Sequence, residues 1–255
     1  MLPVVLVVLA FAGAFLSGLV GVGGAIIMIP LLLFVPPLLG LDDLGIATVA
    51  GITMVQVVAA SLSGLVGHRG RIDRPLFVAL GPSMVVTSFA GGYASGLVEP
   101  IVLEAVFAAM ASLAAVMMLT LRGRTAHEVD GGVAFNRPAA VAAAAAVGFS
   151  AGLVGAGGAF FLVPVMLYGL RVPVRVTVAT SLAVVAAAGG AGLAGKIAAN
   201  QVDWFLAALL VIGALPGARL GAAVSRRVST TRLVGVLGVV IAVVAVRMWI
   251  QVLAG

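Results

Sequence analysis

The sequence predicts an all-α integral membrane protein made of two inverted-topology repeats, each a glycine-broken helical hairpin plus three transmembrane helices. Three observations predict it. The 255 residues are 63% hydrophobic and 9% charged, with a mean hydropathy of +1.31; a soluble domain carries about 25% charged residues because its surface faces water. Two long apolar blocks, 3–39 and 138–170, are near copies of each other. Once the chain is threaded through a bilayer, its basic residues gather on one face.

A helix needs about 20 mostly apolar residues to cross a bilayer. Six segments meet that length, at about 44–67, 75–97, 100–121, 176–198, 203–224 and 232–253, and the breaks between them carry Asp, Glu, Arg, Asn and Pro. The two copied blocks each run past one span and are interrupted by a glycine cluster. Their arms, about 3–20 with 22–39 and 138–154 with 159–170, are short for spans. They can cross fully, giving about ten spans, or re-enter as half-helices, giving six spans and two hairpins. The uncharged start Met1–Leu9 lacks the basic n-region of a cleaved signal peptide and is expected to be mature structure.

The duplication is specific. Gly18-Leu-Val-Gly-Val-Gly-Gly-Ala-Ile-Ile-Met-Ile-Pro30 aligns with Gly152-Leu-Val-Gly-Ala-Gly-Gly-Ala-Phe-Phe-Leu-Val-Pro164, with 8 of 13 positions identical and the rest apolar pairs. Gly64-Leu65-Val-Gly67 echoes Gly192-Leu193-Ala-Gly195. The expected organisation is a first repeat at 1–121, a cytoplasmic connector at 122–137 and a second repeat at 138–255.

Charge sets the orientation. With the loop His68–Arg74 inside, the connector also lies inside, and Asp42, Asp43 and Glu99 lie outside. If block 138–170 returns to the face it left, 12 of the 14 basic residues are inside, and only Lys196 and Arg247 fall on the other face. If it crosses once, the split is 8 to 6. Orientation follows the Lys/Arg bias, so the first threading is preferred and the halves face opposite ways.

Several function classes are excluded by the same inventory. The net charge of +6 would suggest nucleic acid in a soluble protein, but in a membrane protein basic loops mark the cytoplasmic face, so no nucleic-acid partner is expected. With no cysteine there is no thiolate metal site or thiol catalysis. His68 and His127 lie in basic polar stretches, so no metal or other cofactor is expected. Gly148-Phe-Ser150-Ala-Gly152 matches the nucleophile-elbow pattern but lies in an apolar helix without acid or base partners, so no enzyme is expected. Gly213, Gly217 and Gly221 form a small-residue stripe at helical spacing, which suits helix packing.

The glycine turns carry the chemistry. Irregular backbone at membrane depth persists only when buried in protein or lining a cavity. Free N–H groups at the start of a half-helix suit an anion. Two such turns in opposed halves are the expected form of a transporter's substrate site; the alternative is that the glycines only permit close packing. Gly21, Gly23 and Gly24 in the first turn and Gly155, Gly157 and Gly158 in the second are the backbone candidates. Thr53, Gln56, Thr180 and Ser181 are the side-chain candidates, because polar groups in a span face the bundle interior. Their alternative role is an interhelical hydrogen bond. Arg219 is a further anion candidate, although it and Arg247 sit at span ends where arginine snorkels. Glu104 is the only carboxylate within a span.

The Gly-x-Gly-Gly clusters, the proline six residues after each, and the duplicated halves resemble the TauE/SafE family of sulfite and organosulfonate transporters over nearly the whole chain. Ala179-Thr180-Ser181, the Asn200–Trp204 stretch and Pro216-Gly217-Ala218-Arg219-Leu220-Gly221 also resemble that family's second half. In the first half Gly51-Ile52-Thr53 replaces the Ala-Thr-Ser run, and Gly91-Gly92-Tyr93 stands opposite Gly221-Ala222-Ala223. The resemblance implies an exporter of a small sulfur-containing anion in a bacterial inner membrane. Its expected partners are that anion and the lipid bilayer, and a homodimer is compatible with it. An importer coupled to a cation gradient and an anion channel are the alternatives.

Overall fold

The computed structural model describes residues 1–20, 25–66, 72–120, 136–170, 172–225 and 230–254. These residues form helices and no strand. In chain order they are α1 (Leu2–Val20), α2 (Ala25–Leu38), α3 (Ile46–Val66), α4 (Arg74–Ala94), α5 (Pro100–Thr120), α6 (Arg137–Val154), α7 (Ala159–Pro164), α8 (Val174–Ala198), α9 (Trp204–Ser225) and α10 (Thr230–Ala254). A π-helical turn, Val165–Gly169, continues α7 beyond the proline.

Local chemistry sets several of these boundaries. Asp73 caps α4 by accepting from the Leu76 N–H, and Asn136 caps α6 by accepting from the Ala139 N–H; each is followed by a proline in the first turn, where its missing N–H has no partner to lose. Asp203 accepts from the Leu206 N–H at the start of α9. Asn200, just before it, turns the chain with a φ of 55°, a conformation asparagine tolerates better than most residues.

The predicted spans correspond to α3, α4, α5, α8, α9 and α10. One expectation changes. The first arms of the hairpins are not short: α1 has 19 residues and α6 has 18, each about 27–29 Å long at 1.5 Å per residue. Arg137–Val154 is long and apolar enough to cross a membrane. The second arms are shorter, with 14 residues in α2, and six in α7 before the five-residue π turn. Glycine limits α6 on its C-terminal side, because Gly155 takes the left-handed conformation that ends the helix.

The largest interfaces all join a helix before residue 121 to one after residue 136: α1 with α9, α4 with α6 and α8, α5 with α10, and α3 with α8 and α9. Exchanging α1–α5 for α6–α10 carries α1–α9 onto α6–α4 and α4–α8 onto α9–α3. It leaves α3–α8 and α5–α10 unchanged. Backbones approach closely at these crossings. A Cβ at Gly152 would meet the Ser88 carbonyl, one at Gly91 the Phe149 carbonyl, one at Gly213 the Val7 carbonyl and one at Gly217 the Phe11 carbonyl. The small-residue stripe on α9 is thus a packing face, as its spacing indicates, and the Gly148–Gly152 pair does the same work on α6. Around the bundle, Val4, Val8, Val78, Val86, Phe205, Ile212 and Val243 are exposed, an apolar rim suited to lipid.

Candidate functional site

The second glycine turn is fully described and is buried throughout residues 151–160. Gly155, Gly157 and Gly158 have φ values of 78°, 62° and 75°, the left-handed region that costs a residue with a Cβ about 1–2 kcal/mol. The turn packs against one stripe of α3. A Cβ at Gly155 would meet the Ala50 carbonyl, and one at Gly157 would meet the Val57 side chain. Between those contacts, the Thr53 hydroxyl lies 3.2 Å from the Gly155 carbonyl oxygen and 2.6 Å from the Val49 carbonyl of its own helix. Gln56 follows Thr53 by three residues on the same side of α3. It is 1% exposed and its Oε1 has no hydrogen-bond partner.

The two ends of the turn differ in polarity. On the carbonyl side, donors reach two of the carbonyls that α6 leaves open: Thr53 reaches Gly155, and Lys196 Nζ lies 3.1 Å from the Leu153 carbonyl. On the N–H side, Gly157, Gly158, Ala159 and Phe160 donate to no acceptor among the described residues. A run of open N–H groups at a turn suits an anion.

The remaining candidates lie elsewhere. Gly64 faces Leu182, Val58 faces Gly189 and Met54 faces Gly192, so α3 and α8 run antiparallel, with paired residue numbers summing to a near-constant value. Thr180 and Ser181 therefore lie level with the far end of α3, about 18 Å along the helix from Thr53. There the Thr180 hydroxyl oxygen accepts from the Asp73 N–H at 3.1 Å, and the Ser181 hydroxyl donates to the Val178 carbonyl at 3.1 Å. The side-chain candidates thus form two groups rather than one cluster. Arg219 is exposed on the outside of α9 and joins neither. Arg247 is also exposed, with its guanidinium 4.8 Å above the Phe34 ring. Gly21, Gly23 and Gly24 lie outside the described residues.

Sequence reasoning missed Lys196. It was expected only to fall on the face opposite the basic loops, yet it is wholly buried in the last turn of α8, beside Ser95 and Gln201. The available signal was a lone cation inside an apolar, glycine-rich span. Ser95 and Gln201, from the α4–α5 and α8–α9 connections, also bond to each other.

A bundle of membrane-length helices enclosing a broken helix with open N–H groups is the architecture of a multi-pass membrane transporter. The chain belongs to the sulfite exporter TauE/SafE family, which it matches over residues 5–248. It is 27% identical to "Probable membrane transporter protein YunE" of Bacillus subtilis (strain 168), over 93% of this chain and 94% of that one. It is 29% identical to a "Probable membrane transporter protein" of Xylella fastidiosa (strain 9a5c), over 94% of each. No solved structure matches it. Family and relatives make the chain a transporter and not an enzyme.

Proposed function

We propose that this protein exports a small sulfur-containing anion, such as sulfite or an organosulfonate, from a bacterial cell across the inner membrane. It does so by alternating access between two inverted repeats, 1–121 and 138–255, joined by a cytoplasmic connector at 122–137. The observation that carries the anion is the run of N–H groups from Gly157 to Phe160, which donate to no acceptor among the described residues. Gln56 adds an amide that, turned about its last bond, offers its NH2 to the same ligand. The sulfur chemistry is carried by the family alone.

The antiparallel course of α3 and α8, the helices that correspond between the halves, supports the inverted arrangement. So does the grouping of connections. Asp73 meets Thr180 at one end of the bundle, whereas Ser95 meets Gln201 at the other, which is the grouping that the charge-based threading requires. In this reading each turn is one half-site. The anion is held at the second turn with Thr53 and Gln56, and an equivalent position at the first turn involves Gly21, Gly23, Gly24, Thr180 and Ser181.

The test is flux in proteoliposomes with sulfite, sulfate, thiosulfate, taurine and sulfoacetate. Saturable flux of one or more of these supports the carrier. Flux that rises linearly with concentration would show a channel, and no flux of any would refute the substrate class.

A further inference from the structure

Lys196 Nζ lies 2.9 Å from Ser95 Oγ, 3.1 Å from the Leu153 carbonyl oxygen and 3.2 Å from Gln201 Oε1. All three act as acceptors. The Ser95 hydroxyl directs its own proton to the Gly92 carbonyl and Gln201 Oε1, both at 2.6 Å, and Gln201 Nε2 donates to the Ser95 carbonyl at 2.9 Å. In its ammonium form the amine has three N–H donors, one for each of these neighbours. Every acceptor is neutral, and no carboxylate pairs with Lys196 among the described residues. The result is an amine, 0% exposed, held among neutral partners and without a carboxylate beside it inside a membrane-spanning bundle. Such groups are costly and mark sites of function.

The amine is tied to the turn. Leu153 lies in the last turn of α6, two residues before Gly155, and its carbonyl is one of those that the helix leaves unpaired. Gln56 Oε1, three residues beyond Thr53 on α3, is buried without a hydrogen-bond partner. With Thr53 on Gly155 and Lys196 on Leu153, a polar group reaches the turn from α3 and another reaches the end of α6 from α8.

We propose that Lys196 is the fixed counter-charge of the carried anion and sets its charge class, favouring dianions over monoanions at the Gly155–Gly158 turn. This rests on the anion-carrier reading. Lys196 need not touch the ligand: a buried charge acts across several ångströms with little screening by salt, and its effect scales with the charge on the ligand. A purely structural lysine would affect both classes of ligand alike.

The test is the dissociation constant of the purified protein for sulfate, a dianion, and methanesulfonate, a monoanion. Lys196→Gln keeps a donor for the Leu153 carbonyl but removes the charge. It is expected to weaken methanesulfonate roughly tenfold and sulfate roughly a hundredfold, the square of that factor, because the interaction energy doubles with ligand charge. Gln201→Glu keeps the lysine and places a carboxylate against it. It should show the same unequal loss, and it carries the test if Lys196→Gln does not fold. Lys196→Arg should keep the wild-type ratio. Equal losses for the two ligands, or none, in a folded variant would overturn the inference and leave the carrier standing. A wild-type protein that binds neither anion would overturn this inference, whereas the carrier reading stands or falls on the flux measurement.

Discussion

Thr53 and Gly155 stand 102 positions apart in the chain, yet the hydroxyl of one lies 3.2 Å from the carbonyl oxygen of the other. That contact ties α3 of the first half to the glycine turn of the second. The same hydroxyl is 2.6 Å from the Val49 carbonyl, so its proton is shared between its own helix and its neighbour. Thr53→Val keeps the shape and removes the donor. It is expected to lower stability by about 0.5–1 kcal/mol, the usual worth of an interhelical hydrogen bond in a membrane protein, and to slow transport. Thr53→Ser should retain both. Thermal unfolding in detergent and flux in proteoliposomes measure the two effects, and normal flux in Thr53→Val would remove this contact from the site.

The glycines of the turn should not respond alike. A Cβ at Gly157 meets the Val57 side chain, whereas one at Gly155 meets the Ala50 backbone carbonyl. A side chain can be trimmed and a backbone cannot. Gly157→Ala should therefore lose most transport and regain part of it in Gly157→Ala/Val57→Ala, the remaining deficit being the cost of a positive φ. Gly155→Ala should not be rescued by any change at Ala50. Flux at matched expression decides it; a fully active Gly157→Ala would make that glycine dispensable.

The threading predicts which positions face the cytoplasm. Cysteines introduced at positions 72 and 130 of this cysteine-free chain should be shielded from impermeant thiol reagents added to intact cells. A cysteine at Asp203, on the end of the bundle that holds Ser95 and Gln201, should react. Labelling of 72 and 130 with protection of 203 would reverse the orientation.

Energetics separates export from uptake. A potential of 100 mV, negative inside, is worth about 2.3 kcal/mol per charge, so an anion leaving the cell moves downhill without a coupled ion. Within the spans, the Glu104 carboxylate is engaged by Gln251 at 3.0 Å. Saturable flux driven by an imposed potential alone is the expected result. Strict dependence on a pH or Na⁺ gradient would move the protein to the importer class.

Composition and the copied glycine blocks made the membrane class, the spans and the position of the second turn legible, because length and apolarity are written locally. The Gly213–Gly217 packing face was legible for the same reason: its spacing alone puts it on one side of a helix. What the sequence could not show is depth. Thr53 and Ser181 occupy matching places in the two halves, but in helices that run antiparallel matching places are carried to opposite ends. Lys196 escaped for a different reason. A charge near the end of a span ordinarily reaches water, and only the convergence of Ser95, Leu153 and Gln201 from three other segments encloses it. Long-range convergence leaves no local pattern.

The pairing of α1 with α9 also constrains how the chain is made. α1 emerges before α9, and Gly213 and Gly217, which it meets through Val7 and Phe11, are translated roughly 200 residues later, about 10–40 s at ordinary rates of synthesis. During that interval α1 must sit in the bilayer with its partner face against lipid or against the insertion machinery. The same holds for α5, whose partner α10 follows it only after four further helices. Assembly is thus completed late: a ribosome stalled before α9 leaves α1 and α5 inserted without their main partners, a natural substrate for membrane proteases.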